Sequence, residues 1–175
     1  METLRHSIIL SIAMATAISG SECMAQSEAK PLKEQAATVV AKIDETIVGE
    51  FRKAWLVAGG GVKEIEGVVL LYQRPDGTVM ARSQGQTNQR RQFTLTLSSD
   101  VIAIVHTHPN NCFPHPNGAD LKIAERFGIP VFTITNRGMF VYEPGAKRIS
   151  KVKDGMRWLD PATWVDGLVL ALNRE

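Results

Sequence analysis

The stretch VIAIVHTHPNNCFPHPNGAD, Val101 to Asp120, decides how the fold is read. It opens on an apolar run, Val101 to Val105, of the kind that forms a central strand buried on both faces. The run hands over at once to His106, Thr107, His108 and Pro109. Of the four histidines in the chain, three lie between His106 and His115. Side chains alternate faces along a strand, so His106 and His108 point the same way. Pro109 ends the strand and turns the chain outward. Beyond the loop, ADLKIAERFG (Ala119 to Gly128) has the spacing of a short helix closed by glycine. IPVFTITN (Ile129 to Asn136) reads as the next strand.

Outward from this unit the elements continue on both sides. Val68 to Tyr72 is strand-like, Arg74 to Gly77 (RPDG) is a turn, and Thr78 to Arg82 is the returning strand. RQFTLTLS alternates Phe93, Leu95 and Leu97 with polar residues, as a half-buried strand does. Further upstream, Val39, Val40, Ile43, Ile47, Val48 and Phe51 recur at helical spacing. Pro31 suits a first turn and Gly59, Gly60 and Gly61 stop the pattern, so a single amphipathic helix from Leu32 to Leu56 is expected. Downstream, a turn at Asn136 to Gly138 leads into the strands MFVYEP and GAKRISKV. The tail, DPATWVDGLVLALNRE, reads as a helix capped by Asp160 before Pro161. This order predicts an α/β (α+β) fold, with a mixed or mostly antiparallel sheet flanked by helices. Trp55, Trp158 and Trp164 read as core anchors.

Composition narrows the function. At 175 residues, 44% apolar and 22% charged, the chain suits one globular domain. A net charge of +2 with scattered basic residues argues against a nucleic-acid partner, and NQRRQ (Asn88 to Gln92) reads as a solvated turn. The first 25 residues have the form of a signal peptide: Arg5, then an apolar run from Ser7 to Ser19, then small residues at Cys23 and Ala25. The run is shorter than the roughly 20 residues of a membrane span. Cleavage after Ala25 is expected, with lipidation of Cys23 or an uncleaved anchor as the rival readings. Residues 26–58 are then the helical lead-in and 59–175 the rest of the same domain. The mature chain would lie outside the cytoplasm, periplasmic or secreted, with no stable membrane span. It would keep one cysteine, Cys112, which excludes an internal disulfide.

Two imidazoles on one side of a rigid strand end are half of a catalytic zinc site, which takes three protein ligands and keeps one position open. Asp120, opening the next helix, is the natural third ligand, and a helix N-terminus favours a carboxylate. A zinc-acidified water needs a nearby base, and KEIEG offers Glu64 and Glu66 at the head of the first main strand.

This set resembles the JAMM (JAB/MPN-type) metallopeptidase family. Its pattern is a glutamate with a glycine three residues on, then His-x-His-Pro, a loop of about seven residues and Ser-x-x-Asp opening a helix. EIEG matches the first part through Glu64 and Gly67, HTHP the second, and NGAD stands where Ser-x-x-Asp is expected. The resemblance covers Val62 to Tyr142. It implies a cytidine-deaminase-like mixed sheet flanked by helices, with Zn2+ held by His106, His108 and Asp120, and Glu64 as general acid/base. The family's serine is replaced by Asn117, whose amide can also donate to an oxyanion. The loop is one residue longer than usual and carries Cys112 and His115. On this resemblance the chain is an exported bacterial member that hydrolyses an amide bond in a peptide or protein, with cell-wall peptides among the open substrates.

Plainer readings stand beside these. Asn117 and Asp120 also make a capping-box-like helix start. Cys112 reads as a packed or exposed thiol, and His115 as a loop residue. A non-catalytic binding or assembly module, or a secreted toxin-type effector, is the alternative to a peptidase.

Overall fold

The computed structural model describes residues 6–11, 35–87 and 92–160. Its elements in chain order are β1 (His6–Ser11), α1 (Gln35–Ala41), α2 (Glu45–Val57), β2 (Gly67–Gln73), β3 (Val79–Gln86), β4 (Gln92–Leu97), β5 (Val101–Thr107), α3 (Gly118–Phe127), β6 (Val131–Thr135), β7 (Gly138–Glu143) and β8 (Arg148–Asp154). Six strands form one sheet in the order β3-β2-β5-β6-β7-β8, and β4 pairs antiparallel with β1. In the six-stranded sheet β5 and β6 run parallel and the other neighbours antiparallel. The fold is therefore a mixed sheet flanked by helices, and the one parallel pair is the one joined through α3. No helix among the described residues is long and apolar enough to cross a membrane.

Each face of the sheet carries its own core, as strand alternation requires. On one face Val69, Leu71, Ala103, Val105, Phe132 and Ile134 pack with Ile47, Val48, Phe51 and Ala54 of α2. On the other, Val68, Leu70, Ile104 and Val131 pack with Leu95 and Leu97 of β4 and Ala124 of α3. Burial on both faces explains the apolar run that β5 carries, and in β6 it buries even Thr133 and Thr135. His106 follows the parity of Ile104, so it falls on the α3 face.

The expected single helix from Leu32 to Leu56 is interrupted. The structure has α1 and α2 with a break after Ala41, and residues 32–34 lie outside the described residues. The cause is Asp44, whose side chain accepts the Ile47 amide hydrogen at 2.9 Å and caps a new helix. The apolar periodicity hid this break because both helices bury residues into one cluster, Ala36 and Val39 from α1 beside the α2 set. The hairpin turn lies where it was expected: the amide of Gly77 donates to Arg74 O at 2.9 Å, and Gly77 adopts φ 82°.

Trp158 packs edge-on against Phe51, with ring centroids 6.4 Å apart, as a core anchor does. Of the expected leader, His6–Ser11 form β1, a pairing that exists only in the uncleaved chain. The expected cleavage site and the C-terminal helix with Trp164 lie outside the described residues.

Candidate metal centre

β5 delivers the first two groups. His106 sits between Val68 of β2 and Thr133 of β6, in the middle of the sheet. His108 lies just past the strand end, and its amide still donates to Ile134 O at 2.9 Å, so the ladder geometry extends to it. Both imidazoles therefore face one way, and their Nε2 atoms approach to 3.0 Å.

α3 brings the third group. Asn117 caps the helix, its side-chain oxygen accepting from the Ala119 amide at 2.8 Å. In return the Asn117 amide donates to Asp120 Oδ2 at 2.7 Å, which completes a capping box. One carboxylate oxygen is thereby fixed to the backbone. The other, Oδ1, points at the histidines and lies 3.3 Å from His106 Nε2. Oδ2 is 3.7 Å from His108 Nε2.

His106, His108 and Asp120 are all buried, and one ligand atom from each lies within 4.8 Å of the others. This group is able to hold a metal ion. The spacing fits a small tetrahedral cation, because ligand bonds of 2.0–2.2 Å put neighbouring donor atoms roughly 3.4 Å apart. Asp120 Oδ1 is buried and bonded to no backbone group; its polar neighbour is His106 Nε2, the contact a cation would replace. The tautomer of His108 is also fixed: its Nδ1 lies 2.8 Å from the Phe113 carbonyl, which accepts only a proton-bearing nitrogen. That leaves the Nε2 lone pair directed inward, the usual arrangement of a ligating histidine. His106 Nδ1, by contrast, is buried without a hydrogen-bond partner.

Without a cation the three groups hold one another electrostatically. Burial disfavours a charged His106, but the Asp120 carboxylate, its hydrogen bond and the charge of Glu66 outweigh it and raise the pKa to about 9. Burial also works against the Asp120 charge. The facing His106 and His108 and the Asn117 amide prevail, and its pKa is lowered.

The two glutamates separate. Glu64 is exposed, whereas Glu66 is buried and close enough to His106 for its charge to be felt. Thr87 holds the Glu66 backbone on both sides. Its hydroxyl accepts the Glu66 amide at 3.2 Å, and its own amide donates to Glu66 O at 3.0 Å. Gly67 follows, and its amide donates to Thr107 Oγ1 at 2.9 Å. The glycine is required by close approach, since a Cβ there would meet Ala54 O of α2 at 2.3 Å. The family-pattern spacing to Gly67 favours Glu64; of the two, Glu66 is the one that is buried and whose charge acts on His106.

Several residues that shape the site carried no sequence signal of their own. Asn110 ties three segments together: its Nδ2 donates to Gly60 O at 3.0 Å, its amide to Gly61 O at 2.8 Å, and its Oδ1 accepts from the Asn136 amide at 3.3 Å. Thr133 Oγ1 donates to Pro114 O at 2.7 Å and anchors the loop between the histidines and α3. Cys112 is half-buried, with its thiol towards Asn111 Oδ1, and is not part of the His-His-Asp group. His115 stacks on Phe113 within the loop. Comparison with protein-family models, curated proteins and solved structures gave no match.

Proposed function

We propose that this chain is a zinc-dependent hydrolase of amide bonds, a metallopeptidase or isopeptidase of the JAMM type. The observation that carries the reading is the convergence of His106 Nε2, His108 Nε2 and an Asp120 oxygen held by no backbone group, in a buried cluster with Glu66 nearby. Two neutral nitrogens and one carboxylate suit zinc, which accepts this mixed donor set and, in catalytic sites, three protein ligands. When bound, zinc supplies Lewis acidity toward a carbonyl and makes water acidic enough to ionise near neutral pH.

The chain's own residues supply the rest. Glu66 takes the proton from the attacking water as the C–O bond forms and the carbonyl oxygen becomes an oxyanion, then delivers it to the amine nitrogen as C=O re-forms and the C–N bond breaks. Its backbone pairing with Thr87 keeps that carboxylate in place. Asn117 keeps its side-chain oxygen on the helix, so the amide NH2 is the end left to donate toward an oxyanion. The leader-like N-terminus supports a substrate outside the cytoplasm.

The test is metal-dependent cleavage of peptide libraries and wall-peptide fragments by the zinc-loaded chain, with Glu66→Gln as the control. Cleavage that needs zinc and disappears in Glu66→Gln is expected. A zinc-bound chain that cleaves none of them would instead favour the binding-module alternative.

A further inference from the structure

The loop between the histidines and α3 is rigid, yet it holds an aromatic ring in solvent. Pro109, Pro114 and Pro116 fix its backbone in three places. The Cys112 amide donates to Pro109 O at 3.0 Å, the Phe113 carbonyl lies 2.8 Å from His108 Nδ1, and Thr133 clamps Pro114 O. Between these ties Phe113 is 76% exposed and its ring stacks on His115, with centroids 5.7 Å apart and planes 28° from parallel. A single exposed apolar side chain is ordinary on a protein surface. This one differs in its attachment, since its own main-chain carbonyl is one hydrogen bond and one imidazole away from the converging ligand atoms. A residue of an extended substrate advances about 3.3 Å along the chain, so a side chain one or two residues from the scissile amide comes within reach of the ring.

We infer that Phe113, backed by His115, is the specificity wall of the site and selects substrates with a large apolar side chain beside the scissile amide. The inference rests on the zinc-hydrolase reading. A ring already ordered by its loop loses little entropy when a second apolar group covers it, so the burial counts toward affinity. Phe113 also couples recognition to the metal site, because its carbonyl sets the orientation of His108.

The probes are two zinc-chelating hydroxamates, acetohydroxamic acid and 3-phenylpropanohydroxamic acid. Binding to the zinc-loaded full chain is titrated for wild type, Phe113→Ala and Phe113→Trp, with zinc per chain measured on each. Wild type should prefer the phenyl compound by about tenfold or more, the range expected for added apolar contact in a pocket. Phe113→Ala should keep its zinc, since the carbonyl on His108 is main chain, and lose most of that preference. Phe113→Trp should retain it. An equal preference in wild type and Phe113→Ala, both zinc-loaded, overturns the inference and leaves the hydrolase reading standing. Absence of zinc from the wild-type chain overturns both.

Discussion

Glu64 and Glu66 lie two residues apart, and their environments assign them different parts. Glu64 is exposed, while Glu66 is buried and its charge favours the protonated form of His106. Glu66→Gln should therefore lower kcat by roughly 10²–10⁴, the usual contribution of a general acid/base, with zinc content unchanged. Glu64→Gln should stay near wild type in the same assay, and the reverse pattern would restore Glu64 as the base. The His106–Asp120 pair adds a pH signature to the metal-free protein. The raised His106 pKa contributes stability that is complete below about 6.5, the unfolded value, and is lost as pH climbs toward about 9. The lowered Asp120 pKa contributes stability present above about 3.9 and lost as pH falls below it. Thermal midpoints of the metal-free chain should thus decline from pH 6.5 to 9, and Asp120→Asn should remove that decline. A wild-type slope that persists in Asp120→Asn would assign it to other groups.

At the scale of elements, the site depends on where α2 and α3 end against the sheet. Gly67 lets the α2 backbone come down onto the start of β2, beside Glu66. Gly67→Ala should push the helix away and cost about 1–3 kcal/mol, the usual penalty of overpacking, with activity falling further than stability because Glu66 moves too. Denaturant midpoints measured beside turnover would separate the two effects. Phe51, on the buried face of α2 and packed edge-on with Trp158, should cost about 3–5 kcal/mol as Phe51→Ala and leave metal stoichiometry intact in the folded fraction. The break between α1 and α2 shows where reading from sequence stops. Periodicity reports the shared buried face correctly, but a cap such as Asp44 inside a continuing apolar stripe looks like any exposed acid.

Taken whole, the molecule brings a strand histidine, a second one just past the strand end and an aspartate of the first turn of α3 together beside a mixed sheet. This much was legible in the sequence, because alternation along β5 and the capping residues of α3 are local rules that the fold then brings together. The burial of Glu66 and the Thr87 and Asn110 braces were not legible, since each depends on segments far apart in the chain meeting in space, and the Phe113 carbonyl on His108 was not, since it depends on the exact path of an irregular loop. A centre built this way should also stabilise the whole fold when loaded. Zinc at a thousand times its Kd should add about 4 kcal/mol, seen as a rise in Tm that a chelator reverses. The measurement that tests the central claim most directly is zinc per chain on the purified protein, beside the His106→Ala/His108→Ala double variant. One zinc per chain, absent from the double variant, is the predicted result. A wild-type chain that holds no zinc when equilibrated with it would contradict the account and leave HTHP as a strand end in a binding module.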